Sequence, residues 1–155
     1  MTRTTNLVLF TLLIISMTSC SWAINLVIAN NSNKDIFVRY LIPLDNEDAQ
    51  FFKNPKTYQF DEKLRKLYRA NEGKRPNALP TDSKTIIETQ ELEVRLAPGQ
   101  AVHVGVYYSF QDRREILSKY NLNVRIDQDS TLTLPTLNSL FLHWKNRHTD
   151  LLEVR

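Results

Sequence analysis

Apolar residues crowd the first thirty positions of the chain and then thin into short alternating runs. From Ile24 onward, "INLVIAN" and "DIFVRYLI" flank the polar cluster "NSNK", and the three together predict a hairpin. In the second strand Ile36, Val38, Tyr40 and Ile42 fall on one face, with Phe37, Arg39 and Leu41 on the other. Pro43 ends it, because proline has no N–H to give a central ladder. Residues 44–60 show no clear period. "FDEKLRKLYRANEG" predicts a helix: Phe60, Leu64, Leu67 and Tyr68 share a stripe, Asp61 and Glu62 sit at its start, and Gly73 stops it. The opposite face of that helix is charged, so it is expected to pack on the outside of a sheet.

After the proline-containing loop "KRPNALPTDSK", the pattern returns to strands. Leu92, Val94 and Leu96 alternate with Glu91, Glu93 and Arg95, as in a half-buried strand with the charges toward solvent. An "APGQ" turn leads to "AVHVGVYYSF", and "DRREILSKY" suits one or two helical turns. "LNVRID" and "TLTL" are strand-like, and "SLFLHWK" with "LLEVR" predicts a closing hairpin. The fold class this implies is mainly β: a two-sheet antiparallel β-sandwich of seven or eight short strands with one inserted helix. A single curled sheet under the helix is the alternative.

The apolar crowding at the start has the layout of an export signal. Arg3 supplies the positive end, an apolar run extends from Leu7 to Met17, and the small residues Thr18 and Ser19 follow. That run is shorter than the roughly 20 residues a bilayer span requires. The expected division is a signal peptide over 1–19 and a single sandwich domain over 20–155. Three fates are open to Cys20. "SWA" offers a general signal peptidase small residues at Ser21 and Ala23, releasing a soluble chain at Ile24. "MTSC" resembles the bacterial lipobox, with Met17 in place of its usual leucine, and would make Cys20 a lipidated first residue. An uncleaved membrane helix is the third, since no charge occurs between Arg3 and Lys34, although "TSCS" would fall in its middle. Only a thiol accepts a thioether-linked diacylglycerol, and the sole cysteine of the chain stands where that chemistry needs it. With Ser21 next, resemblance to bacterial lipoproteins implies sorting to the outer membrane, lipid on Cys20 providing the membrane contact.

Composition narrows the remaining functions. The length of 155 residues suits one domain, and one cysteine leaves the core to carry stability without disulfides. Net charge is +3 and the signs interleave, as in "DEKLRKLYR", so no basic footprint for nucleic acid is expected. Three glycines, Gly73, Gly99 and Gly105, cannot build a phosphate-cradling loop. His143 and His148 have no Cys or carboxylate to complete a zinc set, and His103 reads as solvent-facing or hydrogen-bonded. "DNED" at Asp45–Asp48 lacks calcium-loop spacing. No serine sits in a nucleophile elbow, and Glu91 with Glu93 is a pairing any half-buried strand offers. The expectation is therefore no enzyme, no cofactor, no metal and no small-molecule substrate. "NNS" at Asn30 is a glycosylation sequon only in a eukaryotic host.

Aromatic surface is what remains. "GVYYSF" puts Tyr107 on one face and Tyr108 with Phe110 on the other, and these three residues are the candidate partner-binding patch. Taken in order, Cys20, "INLVIAN", "VRYLIPLDNEDAQFF", "FDEKLRKLY", "LAPGQ" and "VGVYYSFQDRRE" resemble the outer-membrane lipoprotein family of bacterial type VI secretion systems. The chain differs from that family in its brief "NNSNK" loop, where the family extends a loop to its inner-membrane partner. It also lacks one strand between the "PG" turn and the "GV" strand. The resemblance implies a two-sheet sandwich without catalysis, a lipid-held adaptor that docks an envelope protein partner to the outer membrane from the periplasmic side. A soluble periplasmic or secreted binding module, chaperone-like and cut after Ala23, is the alternative.

Overall fold

Strand-forming runs of Val, Ile and Tyr close into two stacked sheets in the computed structural model, which describes residues 22–42, 50–70, 77–126, 130–133, 136–143 and 148–155. The first sheet contains β1 (Ala23–Asn30), β3 (Phe51–Gln59), β6 (Gln100–Tyr108), β9 (Leu142–His143) and β10 (Thr149–Val154), in the order β3-β6-β1-β10-β9. The second holds β2 (Ile36–Leu41), β4 (Asp82–Ile86), β5 (Glu91–Leu96), β7 (Asn123–Arg125) and β8 (Thr131–Leu132), ordered β4-β5-β2-β7-β8. The two-sheet β-sandwich is thus the architecture, with ten strands among the described residues rather than seven or eight. Among the described residues three helices join them: α1 (Glu62–Ala70), α2 (Arg113–Lys119) and α3 (Thr136–Leu140).

The main core lies between the sheets. Leu26, Ile28, Val102, Val104 and Leu152 from the first meet Ile36, Val38, Tyr40, Val94 and Leu96 from the second. Tyr40 also donates its hydroxyl to the Phe52 carbonyl at 2.7 Å, which ties the two sheets together. β2 keeps its alternation, with Ile36, Val38 and Tyr40 fully buried. β1 does not alternate, because both of its faces are covered: Val27 and Ala29 point away from the main core into a second cluster beneath α1. There Phe60 and Leu64 pack on Val27, Ala29, Tyr58, Ala101 and Leu151, so α1 lies on the outer face of the first sheet as its charged stripe requires. Asp61 caps the helix, accepting from the Leu64 N–H at 2.7 Å.

Several sequence expectations change. β1 and β2 are not a hairpin, since "NSNK" carries the chain from one sheet to the other. At the crossing Asn30 is buried, and its amide donates to the carbonyls of Lys34 and Leu96, which removes it as a glycan acceptor. β1 and β10 run parallel, the one such pair among otherwise antiparallel ladders of the described strands. The segment without a period contains β3, an edge strand whose register shifts between Phe51 and Lys56 around Pro55. Finally, of the two readings of His103 the solvent-facing one falls, because its strand is covered on both faces and the ring is buried, edge-on to Phe52 at 4.9 Å.

Gly105 marks the closest approach of β3 to β6. A methyl there would overlap the Gln50 carbonyl oxygen and press on the Phe51 Cα, so only glycine lets the two backbones meet. Cys20, Pro43, Gly73, Trp144 and the "DNED" group lie outside the described residues, and the side chains of Leu67, Tyr68 and His143 are likewise not described.

Candidate functional site

β6 ends where β1 begins, with Tyr108 paired to Ala23 and Tyr107 paired to Ile24. The alternation of the strand sends these two tyrosines to opposite destinations. Tyr107 turns between the sheets and is 5% exposed, its hydroxyl donating to Asp150 Oδ2 at 2.6 Å. Arg113 reaches the same oxygen at 2.7 Å from the start of α2, and its guanidinium lies over the Phe141 ring at 5.5 Å. α2 can hold Arg113 there because Asp112 caps its first turn and Ile116 and Leu117 bury its inner face. Burial, reinforced by the bond to Asp150, pushes the Tyr107 phenol well above its ordinary value and keeps it a neutral donor. Asp150, fully buried, is answered by a hydroxyl and a guanidinium, the pairing that a buried carboxylate needs.

Tyr108 turns outward and meets Phe110. The rings stack 5.7 Å apart at 3°, with Phe110 73% and Tyr108 47% exposed. Their backbone is held on three sides: Gln111 N–H donates to the Tyr108 carbonyl, the Gln111 side-chain oxygen accepts from Tyr108 N–H, and Ser109 N–H donates to the Trp22 carbonyl. Trp22 packs against the main core and lies edge-on to His148. Of the three residues in the candidate patch, Tyr108 and Phe110 share one surface while Tyr107 belongs to the interior beneath it.

A second surface was not visible in the sequence. The outer face of the second sheet holds a cleft of about 430 Å³ lined by Phe37, Arg39, Glu91, Glu93, Asn123 and Arg125, among others. Glu91 and Glu93, expected in solvent, are buried at 6% and 2%. Pairing of β2 and β4 with β5 sets Arg39 and Lys84 directly opposite Glu93. Arg39 Nη2 stands 2.5 Å and Lys84 Nζ 2.9 Å from its carboxylate, with Arg125 at 3.6 Å. Thr89 and Asn121 donate to Glu91, and Arg125 covers the Phe37 ring at 4.5 Å. The long basic side chains lie across the carboxylates and close the face. Burial alone would raise the Glu93 carboxyl, but its bonds to Arg39 and Lys84 outweigh that and hold it below the ordinary range. General acid catalysis asks for the opposite shift. The clue in the sequence was opposite charge at cross-strand positions, which becomes readable only when the strand pairing is known.

Among the described residues no three His, Cys, Asp or Glu side chains converge as a metal site, and no helix is long and apolar enough to cross a membrane. Compared with known proteins, the chain matches no family model, no curated protein and no solved structure.

Proposed function

We propose that this chain is a lipid-anchored adaptor of the bacterial cell envelope, facing the periplasm and docking a secretion-machine component to the outer membrane without catalysis. Lipid on Cys20 would hold it there, each buried methylene contributing roughly 0.8 kcal/mol, so that several acyl chains anchor where one would not. The observation that carries the reading is how β1 begins. Trp22 packs against the main core and accepts from Ser109, and Ala23 pairs with Tyr108 in a central strand. A soluble chain cut after Ala23 would lose both, whereas a chain starting at Cys20 keeps them. The exposed Tyr108–Phe110 pair is the aromatic surface nearest the proposed anchor.

Intact mass of the protein purified from bacterial membranes, beside a Cys20→Ala variant, tests this reading. A lipid-sized increase that the variant loses is the expected result. An unmodified chain beginning at Ile24 would overturn it in favour of a soluble binding module, and a full-length chain would favour an uncleaved membrane helix.

A further inference from the structure

We infer that the end of the sandwich carrying Tyr108 and Phe110 rests on a phospholipid bilayer, with the two stacked rings seated at headgroup level. The inference rests on the anchored reading above, and reach is its first support. Cys20 stands three residues before Ala23, and an extended residue spans at most about 3.6 Å, so a lipid on Cys20 is held within about 11 Å of the start of β1. Ala23 is the ladder partner of Tyr108. A tether that short cannot hold this end of the domain clear of the membrane, and it denies a protein partner the clearance to dock there.

Chemistry is the second support. Among the described residues Phe110 and Tyr108 are two of four exposed large hydrophobic side chains, and they form one stacked patch rather than scattered singles. An apolar ring with a hydroxyl tip suits the boundary between acyl chains and headgroups, where tyrosine and tryptophan concentrate. The backbone bonds through Gln111 and Ser109 hold the rings in place beside the tether. On this assignment the aromatic pair orients the domain on the membrane, and the envelope partner docks on a surface farther from the bilayer.

The test uses the full chain, purified from bacterial membranes and reconstituted into phosphatidylethanolamine–phosphatidylglycerol vesicles with brominated acyl chains. Phe110→Trp reports on the proposed contact. Asn33→Trp, exposed in the crossing loop at the far end of β1, is the control. With the emission of the native tryptophans subtracted, the added fluorescence at position 110 is expected to lose most of its intensity and shift to the blue, while that at position 33 stays unchanged. Intact mass of the same samples reports the anchor. A lipidated protein in which position 110 is quenched no more than position 33 overturns the contact and leaves the anchor standing. Quenching at position 110 in a protein without added lipid mass supports the contact and sinks the anchored reading. Neither lipid nor quenching overturns both.

Discussion

The two outer faces of the sandwich are closed by different means. On the first sheet the outward residues Val27, Ala29, Ala101 and Leu151 are apolar, and α1 covers them with Phe60 and Leu64. On the second sheet β5 turns the carboxylates of Glu91 and Glu93 outward, and basic side chains from β2, β4 and β7 lie over them. A helix gains its hold by removing apolar area from water, about 25 cal/mol per Å². A charge ladder gains by keeping each desolvated carboxylate answered, and its net stabilisation is smaller because desolvation opposes the attraction. A sheet can therefore present a charged sequence on its outer face and still bury it, provided the neighbouring strands carry the opposite sign.

The largest expected difference between the faces comes from Leu64→Ala. Leu64 is 2% exposed in the centre of the helix contact, and its truncation should cost about 2–4 kcal/mol in urea unfolding. Glu93→Gln should cost less, about 1–2 kcal/mol, because the Arg39 and Arg125 side chains are about a third exposed and regain water when the carboxylate is removed. Equal losses from the two substitutions would break the contrast.

Acid sharpens it. The folded-state value of Glu93 lies below the ordinary 4.5, so its contribution is present above that pH and is lost as pH falls through the lowered value. Denaturation midpoints from pH 7 downward should show that fall in the native chain, a smaller fall in Glu93→Gln, and no change in the deficit of Leu64→Ala. The smallest effect belongs to Glu62→Ala, which removes the exposed i,i+3 ion pair to Arg65 at the rim of the helix-covered face. A loss of about 0.5 kcal/mol is expected, shrinking in high salt.

The sequence showed these faces unequally. The alternation of β2 and of Leu92, Val94 and Leu96 marked their inner surfaces correctly, because a period of two survives wherever one face is dry. The stripe through Phe60 and Leu64 placed α1 on the outside of a sheet. β3 was hidden because its register shift around Pro55 breaks the period that would have revealed it. β1 and β2 read as a hairpin because a short polar turn looks the same whether it joins neighbours in one sheet or spans two. The unbroken apolar run from Leu26 to Ala29 in β1, against the alternation of β2, was the available sign that they differ. In the candidate patch, "GVYYSF" separated Tyr107 from Tyr108 and Phe110 by simple alternation. The partners Asp150 and Arg113, and the cover over Glu91 and Glu93, depend on pairings between distant segments that local pattern does not encode.

The parallel pairing of β1 with β10 fixes an order of events. β1 lies between β6 and a strand from the far end of the described chain, so the first sheet stays open until Thr149–Val154 arrives. If the chain is exported N-terminus first, as proposed above, β1 would cross early and wait with one edge unpaired while the rest is threaded through. Long-range pairing of this kind is slow to form. Under that proposal, completion of the fold would coincide with release of its last strand.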